Sequence, residues 1–169
     1  MTLRKPHESD ASSIAAISIE VWIGTYLKHG VSPFFADYVM AEFTSAKIEK
    51  RISDPSQFFL VSENKHGIDG FIQVSPDSIA PINSCSNTEI STFYVQPRHH
   101  GKGIGKRLLN AALQHCRDQS VESVWLATNA ENSPAIAFYL SQGFSHVGET
   151  HFCIDEEAYL NNVYSYRLT

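Results

Sequence analysis

Residues Arg98–Gly105 read RHHGKGIG, with three glycines at alternate positions among basic side chains. The segment before it, TEISTFYVQP, is typical of a strand, and the segment after it has the apolar spacing of a helix. The first N–H groups of a helix have no partner within the helix, and the helix dipole adds about half a positive charge there. Glycines also let a backbone approach a ligand closely. The stretch therefore predicts a strand-to-helix turn that holds a phosphate or pyrophosphate.

Two familiar phosphate-binding motifs do not match this turn. A Walker A loop requires Ser or Thr after its Gly-Lys pair, but Arg107 follows Gly105 and Lys106. A dinucleotide-binding turn requires a third glycine where Lys106 stands. The spacing thus excludes both motifs and leaves a backbone cradle to which Lys102, Lys106 and Arg107 add positive charge.

The composition is that of an ordinary globular protein. Of the 169 residues, 43% are hydrophobic and 18% charged, and the formal net charge is -5. An acidic chain is a poor match for nucleic acid, whose phosphates require an excess of Lys and Arg. The amino-terminal residues form no apolar signal segment, and no apolar run is long enough to span a bilayer. We therefore expect a soluble, cytoplasmic protein whose partners include neither nucleic acid nor membrane.

The pattern of apolar residues predicts a mixed sheet with flanking helices, the α/β class. A strand and three helices come first, then three strands, a helix, a strand, a helix and two strands. The predicted strands are 2–6, 56–64, 70–76, 88–97, 121–129, 144–153 and 162–169, and the predicted helices are 11–27, 32–43, 44–54, 101–119 and 132–143. No repeat or linker interrupts this order, which predicts one domain over residues 1–169.

The central motif resembles a signature of the GNAT family of N-acetyltransferases. That signature is Gln/Arg-x-x-Gly-x-Gly/Ala, and Arg98, Gly101 and Gly103 stand at its defining places. The preceding segment TEISTFYVQP resembles the fourth strand of the family. The later segment NAENSPAIAFYLSQGF resembles the second signature, with an Asn at a strand-to-helix turn followed by Ala, Phe-Tyr and Gly-Phe. The resemblance implies the GNAT fold, a mostly antiparallel sheet of about seven strands that is splayed in the middle.

The resemblance also implies a cofactor and the residues that bind it. Family members move acetyl directly from acetyl-CoA to an amine, with no metal. The pyrophosphate would lie on the N–H groups of the turn, and the pantetheine arm would pair with the splayed strand as an added strand does. His99 and His100 lack partners spaced for a metal site, and His100 would contribute mainly its backbone N–H. The implied cofactor-binding residues are Phe93, Tyr94, Val95, Arg98, His100, Gly101, Lys102, Gly103, Ile104, Gly105, Lys106, Asn132 and Tyr139.

Two residues are implied for the chemistry. Tyr139 matches the family's general acid, because a phenol can give its proton to the thiolate that leaves when the amine attacks the thioester. Glu89 matches a strand position where many members carry the base that deprotonates the incoming ammonium. Strand alternation places Glu89, Ser91 and Phe93 on one face. Structural alternatives remain for both: Tyr139 as a core aromatic, and Glu89 as an exposed carboxylate. Cys116 lies in phase with Leu109 and Leu113, which favours a buried thiol over a nucleophile.

The acceptor is the least determined part of the hypothesis. In the family, the N-terminal helices line the acceptor pocket, and here they carry aromatic side chains that include Trp22 and Tyr26, together with Glu20, Asp37 and Glu42. Aromatic faces and carboxylates suit a polyamine through cation–π contacts and charge pairing. SIEVWIGTY and the C-terminal HFCIDEEAYLNNVYSYRL also loosely resemble bacterial spermidine/spermine acetyltransferases. Trp22, Tyr26 and Glu89 are therefore the candidate substrate-binding residues.

Two other functions stay open at this point. One is acetylation of a protein or peptide, at its N-terminus or at lysine, and the 76–88 loop is where such an enzyme would differ from one that acetylates polyamines. The other is a regulatory protein that binds acyl-CoA without turnover, against which the intact Tyr139 and Glu89 argue. The expected partners are acetyl-CoA and a small amine, and a homodimer is compatible with the sequence.

Overall fold

The structure is a computed structural model that describes residues 1–168. In that part of the chain, seven strands and five α-helices follow one another in the predicted order. The strands are β1 (Thr2–Arg4), β2 (Phe58–Asn64), β3 (Gly67–Ser75), β4 (Glu89–Val95), β5 (Ser123–Asn129), β6 (Ser145–Ile154) and β7 (Glu157–Arg167). The helices are α1 (Ala11–Tyr26), α2 (Pro33–Glu42), α3 (Ser45–Ile52), α4 (Ile104–Asp118) and α5 (Ser133–Ser141).

The strands form one sheet in the order β1-β2-β3-β4-β5-β7-β6. β1 runs antiparallel to β2, and β7 runs antiparallel to both β5 and β6. β4 runs parallel to β5, and its register in the described chain consists of Glu89 opposite Trp125, at the first residue of β4. The predicted α/β class and the mostly antiparallel sheet of seven strands are confirmed.

Two strands begin three or more residues earlier than predicted. β3 begins at Gly67 instead of residue 70, because the hairpin turn consists of Lys65 and His66 alone. β7 begins at Glu157 instead of residue 162, since the turn after β6 lies at Asp155 and Glu156. The first residues of β7 are mostly exposed, so they lack the apolar alternation that identifies a strand from sequence. The predicted last strand also includes Thr169, which lies outside the described residues.

The chain divides into two compact units, of which the first comprises Met1–Gln73 and Thr92–Ala112. Its core joins α1 and α3 to β2 and β3 through buried aliphatic and aromatic side chains. Arg4 donates hydrogen bonds to Asp10 (2.7 Å) and to Glu63 (2.8 Å). The hydrogen bond from Arg4 holds the pKa of the Asp10 carboxyl below its usual value. The core residues are Ala11, Ile14, Ala15, Ile17, Ile48, Phe59, Val61 and Phe71.

The second unit comprises Val74–Ser91 and the described residues from Leu113 onward. Val124 and Leu126 of β5 and Val163 of β7 are buried, as expected for strands rich in β-branched and aromatic residues. The ring of Phe144 lies 5.1 Å from that of Tyr166, between centroids. Across residues 1–168, no helix is long and apolar enough to cross a lipid bilayer.

Candidate active site

The turn that joins β4 to α4 has the strand-to-helix form that the sequence predicts. One turn of 3-10 helix covers Pro97–His99, and α4 begins at Ile104. Gly101 and Gly103 have φ angles of +76° and +79°, a left-handed conformation that side chains with a Cβ rarely adopt. A Cβ added at either glycine would meet no other atom within 4 Å. Backbone conformation, and not lack of space, is therefore what requires glycine at both positions.

The turn presents a row of backbone donors. The N–H of Arg107 donates to the carbonyl of Gly103 at 3.1 Å, which is the first bond of α4. Among residues 1–168, the N–H groups from Gly101 to Lys106 have no hydrogen-bond acceptor. Successive free N–H groups at a helix start suit an anion. The geometry thus fits the pyrophosphate group that the sequence predicts for this turn.

The two histidines of the turn form hydrogen bonds with other residues of the chain. The N–H of His100 donates to the carbonyl of Pro97 at 3.1 Å, so this predicted phosphate donor is already in use. The ring Nε2 of His100 donates to the carbonyl of Val95 at 3.0 Å, since a carbonyl can only accept. Lys102 Nζ donates to His99 Nδ1 at 3.1 Å. The side chains therefore fix the shape of the turn, which the sequence analysis did not anticipate.

Phe93, Tyr94 and Val95 lie at the carboxyl end of β4, in the same unit as the turn. The ring of Tyr94 packs edge-on against Phe71, with centroids 5.6 Å apart. Burial raises the pKa of the Tyr94 phenol well above its usual value, which suits a structural side chain. The backbone of these residues is what the predicted pairing with a pantetheine arm would use.

Asn132 lies at the N-terminus of α5, in the second unit. Its Oδ1 accepts a hydrogen bond from the N–H of Ala135 at 3.3 Å and so caps the helix. Its Nδ2 amino group has no acceptor in the described part of the chain. A free donor at this position is compatible with the predicted hydrogen bond to the cofactor arm.

Tyr139 is in α5 and is 8% exposed. Its ring lies against Phe144 and Tyr164, at centroid distances of 5.8 and 6.3 Å. The ring is thus part of an aromatic cluster, as the structural alternative expects. A rigid ring with a small exposed fraction is also how a general acid is held in place.

Glu89, the first residue of β4, is half-buried. The hydroxyl of Ser78 donates to its Oε2 at 2.6 Å, and the N–H of Ser78 donates to the carbonyl of Asn87 at 2.7 Å. The loop after β3 therefore holds the carboxylate in a fixed orientation. Sequence analysis missed Ser78, because its contact with Glu89 spans a loop of no recognisable pattern.

The two aromatic residues predicted to bind the acceptor differ in exposure. Trp22 is 4% exposed, and its ring stacks on Tyr26 with centroids 4.6 Å apart. Tyr38 packs beside Trp22 at 5.3 Å. Trp22 therefore packs the N-terminal helices together. Tyr26 is half-buried, so part of its side chain remains accessible to an acceptor.

The remaining reactive side chains have structural surroundings. Cys116 is buried in α4, and burial raises the pKa of its thiol to about 11. It would be a weak nucleophile at neutral pH. Within residues 1–168, no three His, Cys, Asp or Glu side chains form a group that could hold a metal.

Comparison with known proteins identifies the family. A model described as the acetyltransferase (GNAT) family matches residues 24–144, and the chain belongs to that family. An uncharacterized N-acetyltransferase of Mycobacterium bovis is 25% identical over 144 residues, 85% of this chain and 88% of that protein. The predicted family and the predicted enzyme class are confirmed.

Two solved structures share the fold along nearly the whole chain. The PaiA N-acetyltransferase of Thermoplasma acidophilum, in complex with coenzyme A, superposes with a TM-score of 0.77 at 20% identity, over 98% of each chain. YncA of Salmonella typhimurium, solved with its cofactor acetyl-CoA, superposes with a TM-score of 0.70 at 19% identity. That superposition covers 100% of this chain and 94% of YncA.

The left-handed glycines predict a specific cost of substitution. Gly103→Ala should lower the free energy of unfolding by about 1–2 kcal/mol, because alanine is strained at this φ. Gly24→Ala is the matched control: it lies in α1, with open space at its Cβ and an ordinary φ, and should stabilise the protein by about 0.5 kcal/mol. Urea unfolding of both variants measures the difference. Equal stabilities would contradict the left-handed turn.

Proposed function

We propose that this protein transfers acetyl from acetyl-CoA directly to a primary amine. The observation that carries the proposal is the row of free N–H groups from Gly101 to Lys106, in a chain of the acetyltransferase family. These groups would bind the pyrophosphate, and the side chain of Lys106 would add positive charge, whereas the side chains of Arg98 and Lys102 line a neighbouring cleft. The backbone of Phe93–Val95 would receive the pantetheine arm, with Asn132 donating to it.

Acetyl-CoA supplies an acetyl thioester, and Tyr139 would act on the sulfur that leaves. Its Oη would transfer a proton to the thiolate and so prevent the reverse attack. The packing of the ring against Phe144 and Tyr164 supports this role, because it limits the motion of the phenol. A general acid of this kind contributes about 10²–10⁴-fold in rate.

Glu89 would remove the proton from the acceptor ammonium. The hydrogen bond from Ser78 supports this role, because it orients the carboxylate and leaves Oε1 for a water or for the amine. We assign Ser78 as the residue that positions this base. The backbone N–H groups of β4 would supply the donors for the developing oxyanion.

A polyamine is the acceptor that the N-terminal helices support. Tyr26 offers an aromatic face, and Asp37 of α2 offers an exposed carboxylate. Glu42 contributes less, because it is neutralised by Lys47 at 2.9 Å and by Arg51 at 3.0 Å. Glu20 accepts a hydrogen bond from Gln96 at 2.8 Å and forms no ion pair with a cation of residues 1–168.

A peptide or protein amine is the second candidate. The observation that favours it is Ile79, which is 88% exposed and directly follows Ser78 in the chain. An exposed apolar side chain next in the chain to the residue that bonds the proposed base suits an amine attached to an apolar group better than one attached to a second ammonium.

We further propose that residues 1–169 act as one acetyltransferase domain in the cytoplasm. The family match from residue 24 to residue 144 and the single sheet of seven strands support one domain.

The experiment that tests the proposal is a turnover screen with acetyl-CoA, in which the release of free thiol is the signal. The amines are spermidine, spermine, a dipeptide with an apolar first residue, and lysine. Turnover with at least one amine is expected. Binding of acetyl-CoA without turnover of any amine would favour the regulatory alternative, and no binding at all would contradict the proposal.

Tyr139→Phe should lower kcat by about 10²-fold, because the variant keeps the ring but lacks the proton donor. Its affinity for CoA should change by less than about twofold, a difference of a few tenths of a kcal/mol. Tyr164→Phe is the matched control, since Tyr164 is a buried tyrosine of the same aromatic cluster. A Tyr139→Phe enzyme with full kcat would remove Tyr139 as the general acid.

Glu89→Gln should lower kcat/KM most at pH values below the pKa of the acceptor amine, by about 10²-fold. The deficit should shrink as the pH rises, because solution then supplies the neutral amine without help from a base. Glu149→Gln, at an exposed position of β6, serves as the control and should leave the pH profile unchanged. A parallel shift of the Glu89→Gln profile at every pH would contradict the role of base.

A further inference from the structure

A second concave site lies in the first unit, next to the proposed cofactor turn. It is a cleft of about 700 Å³ between the β2–β3 hairpin turn and the segment that leads from β4 to α4. The side chains that matter for its chemistry are Asn64, Lys65, Asp69, Arg98, His99 and Lys102. Asn64, Lys65 and Asp69 belong to the hairpin and have no part in the acetyl transfer proposed above.

The cleft collects positive charge that the protein leaves unneutralised. In the described chain, Lys65, Arg98 and Lys102 have no carboxylate within ion-pair distance. Elsewhere in the same unit, Arg4 and Arg51 each form an ion pair. Three cations without a carboxylate partner line one cavity, although the net charge of the chain is -5, and they make the cleft attractive to anions.

The single carboxylate that lines the cleft is itself unsatisfied. Asp69 is 3% exposed, and its Oδ2 accepts a hydrogen bond from Asn64 Nδ2 at 2.8 Å. Its Oδ1 is buried and has no donor among residues 1–168. A buried acceptor that forms no hydrogen bond lowers the stability of the fold. A donor placed in the cleft next to Oδ1 of Asp69 would therefore be favourable.

We propose that this cleft binds a small phosphate ester that carries hydroxyl groups. The phosphate would be held by Lys65, Arg98 and Lys102, which are placed on both sides of the cavity. A ligand hydroxyl, or a water held by it, would supply the donor that Asp69 lacks. A phosphate ester with hydroxyl groups satisfies both requirements, whereas an anion without a hydroxyl group, such as sulfate, satisfies only the first. The inference concerns a site separate from the acetyl acceptor and does not require the proposed function.

Calorimetric titration of ribose 5-phosphate into protein saturated with CoA tests the inference, because CoA then occupies the proposed cofactor turn. Binding is expected, and Lys65→Glu should weaken it by about tenfold, since a charged hydrogen-bond partner is replaced by a like charge. Lys50→Glu, an exposed lysine of α3 outside the cleft, is the control and should change the affinity by less than twofold. Unfolding curves of both variants should match that of the wild type.

Three results would overturn the proposal. One is the absence of binding to the CoA-saturated protein, and another is equal weakening by Lys65→Glu and Lys50→Glu. The third is sulfate binding as tightly as ribose 5-phosphate, which would show that the ligand needs no hydroxyl group. If CoA itself does not bind, the proposed function fails, and the same titration of the protein alone still tests the cleft.

Discussion

The N–H groups at the start of α4 need acceptors that the described chain does not provide. The glycines before the helix and the buried residues within it both serve to present these donors. A helix can begin with free donors only where solvent or a ligand reaches them. Gly101 and Gly103 adopt left-handed conformations that turn the chain from β4 into the helix axis. Behind the turn, the buried Ile104 and Leu108 fix α4 in place, so the donors belong to a rigid element.

The conformation of the turn also depends on the hydrogen bonds that its own side chains form. His100 donates from its ring to the carbonyl of Val95, where the proposed cofactor arm would form its own bonds. A carbonyl oxygen has two lone pairs, so both donors can share it, or the ring can yield its place. The second unit follows the same principle, because Ser78 orients Glu89 and Asn132 caps α5 with one end of its amide while the other end stays free. In each case a hydrogen bond within the chain holds the side chain in one orientation.

The sequence was sufficient for those features that depend on local spacing. The alternate glycines, the preceding strand and the amphipathic helix after them predicted the turn, and the order of elements predicted the seven-stranded sheet. Family membership followed from the same motifs. The roles of Tyr139 and Glu89 remain predictions, because they concern a reaction and not a pattern.

Features that depend on contacts distant in sequence could not be predicted in the same way. The bond between Ser78 and Glu89 and the burial of Trp22 depend on how loops and helices fold back, which no periodicity encodes. The early start of β7 could not be predicted for another reason, because its first residues are mostly exposed and show no apolar alternation. Backbone pairing with β6 stabilises this part of the hairpin. The engagement of the His100 N–H with Pro97 depends on a short 3-10 turn that the sequence pattern does not distinguish from a loop.

The placement of the two tryptophans has a practical consequence for spectroscopy. The chain has two of them, and Trp22 belongs to the first compact unit while Trp125 belongs to the second. Both are buried, so the emission maximum of each should move to longer wavelength when its own surroundings open to water. Variants that keep one tryptophan each would therefore carry one intrinsic fluorophore per unit. Their denaturation curves would show whether the two halves of the molecule lose structure in one cooperative transition or in two.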